Sequence, residues 1–207
     1  MKTDSFEVGR VLQQDSRQFI VPIYQRQYAW KEDRLSPFWD DLQSKANELL
    51  EGPPRFQHHM GALILAPGAD GYSVGRISSV LVVDGQQRLS TFQLFLAALR
   101  TVAAERSQAK IVDALDVYVF NDSRSAAPNA VPSDLLKLIP TPADRGIFRD
   151  LMTESFDTVR ARHSDAFYKN GSIIKGRAPK ALLAFLYFQE KISHFADWGS
   201  IDPDEDE

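Results

Sequence analysis

The segment Val80-Leu81-Val82-Val83-Asp84-Gly85-Gln86-Gln87-Arg88-Leu89-Ser90-Thr91-Phe92 decides the fold, because an apolar run meets five polar residues within it. The β-branched run before Asp84 predicts a strand. After the polar residues, apolar side chains recur at the spacing of one helical face, at Leu89, Phe92, Phe95, Leu96 and Leu99. The segment therefore predicts a strand, a tight turn and a helix that is buried against a sheet.

The predicted turn gathers a carboxylate, a flexible glycine, two amides and a guanidinium, which are Asp84, Gly85, Gln86, Gln87 and Arg88. Free N–H groups and the positive dipole end at the start of a helix attract anions. A guanidinium fork matches a phosphate group, and Asp84 is suited to hold a cation or a water. The pattern favours a phosphate-handling site, while a purely structural Asp-Gly turn remains the alternative.

A second polar segment comes earlier in the chain, at Tyr24-Gln25-Arg26-Gln27-Tyr28-Ala29-Trp30. It follows neither helical nor strand periodicity. Aromatic faces stack on bases, and arginine binds a phosphate or a base edge. Two interpretations stay open: the loop recognises a ligand, or Tyr28 and Trp30 simply anchor the loop to the core.

Both segments resemble a known family. Residues 83–92 are similar to the DGQQR signature of the domain-of-unknown-function family 262, and residues 21–30 match its N-terminal motif VPxYQRxYxW. The segment from Phe38 to Leu42 also resembles the family's FWxDL, which we interpret as packing. The family's core is related to the ParB and sulfiredoxin fold, and members are known from restriction systems that act on glucosylated or phosphorothioate DNA.

The resemblance implies a module that binds and hydrolyses a nucleoside triphosphate, often GTP, and that senses modified double-stranded DNA. It places the two motifs in one shared pocket, with Gly85, His58 and Gly61 near the nucleotide. DNA or modification contacts are expected from the second segment, at Tyr24, Gln25, Arg26, Tyr28 and Trp30. Cutting is expected from an HNH-type nuclease domain or subunit, because the four histidines of this chain form no His-Asn-His arrangement.

The catalytic set expected within this framework is Asp84, Gln86, Gln87 and Arg88. Arg88 and the backbone N–H groups around Gln87 would hold the phosphates. Mg²⁺ or another divalent cation, with Asp84 as its ligand, would bridge phosphate oxygens, and Asp84 or Gln86 would orient the attacking water. A metal shared by His58 and His59 is disfavoured, because neighbours on an extended chain point to opposite faces.

Two other functions are weighed against this hypothesis. In the first, the module binds modified DNA without turnover, and the DGQQR turn grips a DNA phosphate. In the second, the chain is itself a ParB-like nuclease, which is disfavoured because the sequence suggests no cluster of carboxylates for two metals.

The charge distribution leaves room for a nucleic-acid partner. The net charge is −4, but residues 202–207 hold five carboxylates, so the remainder sums to about +1. Between Arg145 and Lys180 there are eight basic and four acidic residues, which suits either a phosphate backbone or solvated helix faces. Lys169, Lys175 and Arg177 fall in a loop there and are candidate DNA contacts.

Composition sets the remaining limits. The absence of cysteine removes disulfides, thiolate zinc sites and thiol nucleophiles. No apolar run is long enough to span a membrane, and the N-terminus lacks the apolar core of a signal peptide, so we expect a cytoplasmic protein with no membrane partner. An oligomer is possible.

The predicted fold class is α+β, with a ParB/sulfiredoxin-like small β-sheet and packed helices, followed by a mostly helical C-terminal half. Residues 1–106 are assigned to the core that carries both motifs, 107–200 to a helical extension of the same module, and 201–207 to a disordered acidic tail. Further predictions are a helix from Ser36-Pro37 to Gly52 and a strand after Gly61 that pairs with residues 72–74 or 80–83. Thr141 and Asp144 predict a capping box for a helix with Pro142 at its first position, and a last helix is expected over residues 179–198.

Overall fold

The computed structural model describes residues 4–13, 16–53, 59–68 and 76–198. Over these residues seven α-helices pack around a four-stranded sheet, which confirms the predicted α+β class. The helices are α1 (Val8–Gln13), α2 (Glu32–Glu51), α3 (Gln86–Glu105), α4 (Ala109–Val119), α5 (Arg145–Thr153), α6 (Phe156–Arg162) and α7 (Lys180–Trp198). The strands are β1 (Arg17–Ile20), β2 (Ile64–Pro67), β3 (Ser78–Asp84) and β4 (Leu138–Ile139).

The sheet has the strand order β2-β3-β1-β4. Strand β1 pairs in parallel with both β3 and β4, so that Phe19 lies opposite Val80 and Leu138. Strand β2 runs antiparallel to β3, which confirms the predicted pairing of the strand after Gly61 with residues 80–83. Because β1, β3 and β4 are parallel, the segments that follow them leave the sheet at the same end, where the C-termini of these strands lie. Both sequence motifs therefore begin at this end of the sheet.

The two halves of the chain share this sheet. Strand β4 comes from the C-terminal half and completes the sheet beside β1. The side chain of Gln18 also crosses between the halves, since its Nε2 donates to the carbonyl oxygens of Asp134 and Leu136 at 3.1 and 3.0 Å.

Helix α3 lies at the centre of the core. It packs along α7 and also contacts α4 and α5. Three phenylalanine rings join α2, α3 and α7 edge to face: the ring centroid of Phe95 lies 6.4 Å from that of Phe38 and 5.7 Å from that of Phe188. Such aromatic packing adds to the free energy of burial. Aromatic packing therefore anchors the middle of α3 to both α2 and α7.

Two predicted helix starts were wrong. Helix α2 begins at Glu32 rather than Ser36, because Glu32 and Asp33 favour the positive end of the helix dipole and Pro37 in the second turn removes only one hydrogen bond. Helix α5 begins at Arg145 rather than at Pro142. The Asp144 carboxylate accepts hydrogen bonds from the Tyr28 N–H and the Thr141 hydroxyl. The predicted end of α2 at Gly52 is confirmed. The alternative pairing with residues 72–74 and the acidic tail lie outside the described residues.

Part of the basic stretch after Arg145 is used inside the fold. Asp150, with a side chain only 4% exposed, accepts hydrogen bonds from Arg149, Arg162 and His163 at 3.0, 2.7 and 3.1 Å. Burial alone would raise the pKa of the Asp150 carboxyl, but the hydrogen bonds from Arg149 and His163 and the charge of Arg162 outweigh it and lower the pKa. Arg149 and Arg162 therefore act largely as partners of a buried carboxylate.

We predict that Asp150→Asn lowers the free energy of unfolding by about 2 kcal/mol at neutral pH, because it removes charged hydrogen bonds. A carboxyl whose pKa is lower in the folded state stabilises above its unfolded pKa of about 3.9 and loses this contribution as the pH falls through the folded value. The difference from the parent chain should therefore shrink in acid. Urea unfolding at neutral and acidic pH measures it, with the exposed Asp157→Asn as control; an equal difference at both values would contradict this account.

Candidate functional site

The turn between β3 and α3 depends on Gly85. Its φ of +90° lies in the left-handed region, and a Cβ atom there would come within 2.4 Å of the Leu63 side chain and 2.9 Å of the Ala62 carbonyl oxygen. Only glycine fits this position. Helix α3 starts directly afterwards, with the first bond from the Leu89 N–H to the Gly85 carbonyl oxygen at 3.0 Å.

The start of α3 carries unused donors. No side chain in the described part of the chain caps this end of the helix. The N–H groups of Gln86, Gln87 and Arg88 precede the first intrahelical bond and therefore have no acceptor within the helix. Together with the helix dipole, these N–H groups make the N-terminus of α3 electropositive. This N-terminus lies at the end of the sheet where the two motifs meet.

The two glutamines of the turn hold the aromatic loop, as we name residues 24–30. Gln86 and Gln87 are 8% and 7% exposed. The Nε2 of Gln86 donates to the Gln25 side-chain oxygen and to the Arg26 carbonyl, both at 3.1 Å. Gln87 donates to the Gln27 carbonyl at 3.1 Å and accepts from the Ala29 N–H at 2.9 Å. Both side chains thus bind the loop backbone.

Further contacts fix both ends of the aromatic loop. The Gln25 Nε2 donates to the Val83 carbonyl at 2.9 Å, and the Tyr28 hydroxyl pairs with the Thr91 hydroxyl at 2.8 Å. The Tyr28 N–H donates to the Asp144 carboxylate at 2.8 Å, and the same oxygen accepts from the Thr141 hydroxyl. Burial raises the pKa of the Tyr28 phenol. Asp144 therefore ties the loop to the C-terminal half of the chain.

The loop presents only some of its predicted recognition residues to solvent. Tyr24 is 73% exposed, and Arg26 is also exposed. Gln25 is half-buried through its bonds to the turn. Tyr28 is 6% exposed, and Trp30 packs against the core. For these two residues the structure agrees with the interpretation that they anchor the loop to the core.

Arg88 lies beside the turn and keeps one donor free. Its terminal nitrogen donates to the Ala62 carbonyl, and the Asp84 carboxylate lies 3.9 Å away. Its Nε is buried and has no hydrogen-bond partner among the residues that the structure describes. A Cβ atom on Gly61, whose φ is +90°, would lie 3.1 Å from this Nε, so Gly61 makes room for the guanidinium. His58 lies outside the described residues.

Asp84 is the exposed carboxylate of the site, with 66% of its side chain accessible. Within the described ranges no group of three or more His, Cys, Asp or Glu side chains is placed to hold a metal ion. Mg²⁺ is commonly bound by one or two carboxylates together with phosphate oxygens. The donor set therefore fits this ion as a partner of a bound phosphate group.

Lys169, Lys175 and Arg177 lie on the exposed segment between α6 and α7. Lys169 lines a surface cavity together with Arg160, Tyr168 and Asn170. Within the described residues, no hydrogen bond or ion pair joins these three side chains to residues 84–88. Their role in DNA binding stays a prediction.

Sequence reasoning missed the role of Asp144 and Thr91 as anchors of the aromatic loop. Asp144 was expected to act mainly as a helix cap, and its contact with Tyr28 spans 116 residues of sequence. Thr91 follows the DGQQR motif by one helical turn, so its position on the same face as Gln87 was an available signal.

The fold and the site define an α+β module. The N-terminus of its helix α3 has no side-chain cap, carries Arg88, and is hydrogen-bonded to the aromatic loop. The family model described as "GmrSD restriction endonuclease, N-terminal domain" matches residues 8–195. The chain belongs to this family, which confirms the resemblance inferred from its two motifs and makes it a restriction-system module. A comparison with curated proteins returns no match.

The family associates the chain with DNA and with a nuclease domain, since its name is that of a restriction endonuclease. Among the helices of the described residues, none is both long and apolar enough to cross a membrane.

We predict that Gln87→Leu loosens the aromatic loop, because it removes the bonds to Gln27 and Ala29. Trypsin cleavage after the exposed Arg26 should accelerate by about tenfold or more, since cleavage requires local opening. Limited proteolysis followed by mass spectrometry measures the rate at this bond.

The matched control is Gln93→Leu, because Gln93 is another buried glutamine of α3 and donates to the Tyr118 carbonyl at 3.0 Å. This variant should lose global stability without selective cleavage after Arg26. Equal acceleration in both variants would show that Gln87 has no particular hold on the loop.

Proposed function

We propose that this module binds and hydrolyses a nucleoside triphosphate, with GTP as the first candidate, and couples the reaction to the sensing of modified DNA. The observation that carries the proposal is the buried, unpartnered Nε of Arg88 beside the uncapped start of α3. A buried donor without a partner costs free energy unless a ligand satisfies it. A phosphate oxygen is the acceptor that suits a guanidinium.

The proposed phosphate site uses three kinds of donor. The N–H groups of Gln86, Gln87 and Arg88 supply hydrogen bonds with the sign of the helix dipole. The guanidinium of Arg88 supplies a full positive charge. The charge that develops on the transferred phosphoryl group and its leaving group would be stabilised by these fixed donors.

Asp84 is the proposed group that orients the attacking water, because its carboxylate is exposed at the mouth of the turn. Gln86 was the other candidate, and its amide nitrogen is engaged with the aromatic loop. When Mg²⁺ is bound with the nucleotide, it would neutralise phosphate charge, with Asp84 as its protein ligand. Gln86 and Gln87 then act as positioning residues.

The aromatic loop is the proposed DNA contact. Tyr24 and Arg26 are exposed next to the turn, and they offer a stacking face and a phosphate-binding group. A phosphorothioate or glucosylated group is the proposed modification. Lys169, Lys175 and Arg177 would add contacts to the DNA backbone further along the surface.

The hydrogen bonds of Gln86 and Gln87 would couple DNA binding to the phosphate site. They join the backbone of the aromatic loop to the helix turn that carries the proposed phosphate donors. A shift of the loop on DNA must therefore move or strain this turn. In this way DNA binding would change the geometry at the phosphate site.

The second candidate is a DNA-binding module without turnover, which the exposure of Tyr24 and Arg26 beside the turn also favours. In that case the Arg88 guanidinium would grip a DNA phosphate. A hydrolysis screen with several nucleotides, each with unmodified, phosphorothioate and glucosylated duplexes, separates the two functions. Stimulated release of phosphate supports the first, and modification-dependent binding without any release supports the second.

We predict that Arg88→Ala lowers nucleotide hydrolysis by about 100-fold or more, because it removes a charged donor from the phosphoryl group. Phosphate release under saturating Mg²⁺ measures the rate, and far-ultraviolet circular dichroism verifies the fold. Arg34→Ala is the control, since Arg34 is an exposed arginine of α2. A correctly folded Arg88→Ala protein with full activity would remove the proposed phosphate site.

We predict that Arg26→Ala weakens binding to modified DNA and lowers the salt dependence of the affinity by about one unit of slope, as expected for the loss of one phosphate contact. Tyr24→Ala should weaken binding with little change in this slope, because it removes stacking. Fluorescence anisotropy over a range of salt concentrations measures both. Lys110→Ala on the exposed side of α4 is the control, and an unchanged affinity in both loop variants would contradict the assignment.

A further inference from the structure

Two buried polar residues, Asn121 and Lys137, flank a short β-bridge that the proposed function does not use. Phe120 and Leu136 form this bridge, flanked by hydrogen bonds from the Asn121 N–H to the Leu135 carbonyl and from the Lys137 N–H to the Val119 carbonyl. These two backbone bonds make Asn121 and Lys137 diagonal neighbours across the bridge, with Cα atoms about 7–8 Å apart.

Both side chains are almost fully buried and lack polar partners. Asn121 is 3% exposed and Lys137 is 4% exposed. Over the described ranges, neither the Nδ2 nor the Oδ1 of Asn121 has a hydrogen-bond partner. In the described part of the chain the Lys137 ammonium also has no acceptor, but its Nζ is not one of the fully buried atoms and therefore reaches solvent. Burial of the rest of the side chain lowers the pKa of Lys137 to about 8. Native proteins rarely leave a buried amide such as that of Asn121 unsatisfied.

This pair is separate from the phosphate site at Arg88. Lys137 precedes β4, at the end of the sheet where the parallel strands begin. The DGQQR turn follows β3, at the end where those strands finish. A ligand at one place cannot contact the other, so the two sites can be tested independently.

We propose that Asn121 and Lys137 form a second site that binds a small oxyanion, and that the oxyanion is free phosphate. The ammonium and the amide Nδ2 donate to two phosphate oxygens. Monohydrogen phosphate also carries a P–OH group, which donates to the Asn121 Oδ1. A carboxylate cannot make this third bond, and the low exposure of both side chains excludes the backbone of a DNA duplex.

The experiment is thermal unfolding of the full chain with increasing inorganic phosphate, against sodium chloride of matched ionic strength and against acetate. The parent chain should show a saturable rise in Tm with phosphate, because a ligand that binds only the folded state stabilises it. Acetate should give a smaller rise. The rise should persist in Arg88→Ala, which separates this site from the proposed nucleotide site.

In the Arg88→Ala background, where the proposed nucleotide site does not contribute, Lys137→Met and Asn121→Leu should both lose the response. Lys137→Met is expected to fold, because it replaces a buried charge with an apolar chain of similar length. Lys169→Met, which changes an exposed lysine, should respond as the parent does. As a second readout, the Asn121 side-chain NH₂ resonances should shift with phosphate in the parent chain.

Three results would overturn the inference. The first is no saturable rise in the parent chain. The second is an equal rise with and without Lys137→Met in the Arg88→Ala background, which would indicate an adventitious ion only. The third is an equal response to acetate and phosphate, which would remove the assignment to phosphate.

Discussion

The hydrogen bonds between the amides of Gln86 and Gln87 and the backbone of the aromatic loop are the constraint on which the site depends. A loop of this length without helical or strand pairing would ordinarily be mobile, because its backbone groups would be left to water. Here the amides supply the missing pairing, and the helix that carries them is held by aromatic packing on α2 and α7. The rigidity of the core is thus transmitted to the loop through two side chains.

This arrangement revises what the DGQQR motif contributes. The side chains of Asp84 and Arg88 keep 66% and 35% of their surface exposed, while Gln86 and Gln87 are buried and bond to the aromatic loop. Gly85 supplies a backbone conformation that other residues reach at a cost, and Gly61 leaves room for the guanidinium. The five residues of the motif therefore have three different roles. Asp84 and Arg88 carry the charged groups, Gln86 and Gln87 hold the aromatic loop, and Gly85 shapes the backbone. A single-sequence motif does not reveal this division, because it depends on which way each side chain points.

Much of the fold followed from local sequence patterns. The strand, turn and helix at residues 78–105 were predicted because the change from a β-branched run to a helical repeat is a local signal. The start of α2 was missed because an acidic first turn outweighed a Ser-Pro pair. The proximity of the two motifs came from a family resemblance, and the contact of Asp144 with Tyr28 was not foreseen, because no local pattern reports on partners that are 116 residues apart. The unpartnered Asn121 could not be anticipated either, since burial of a polar residue in a loop depends on tertiary packing.

The position of β1 has a consequence for how the protein is made. This strand is the first of the four in sequence, yet it pairs with β3 and with β4, whose residue Leu138 lies opposite Phe19. Contacts over such separations require large loops to close before they are stabilised, and they slow folding. During synthesis the aromatic loop emerges long before α3 and Asp144 exist to hold it. The order of translation therefore delays assembly of the site until the C-terminal half has left the ribosome, and a nascent chain cannot present a finished site early.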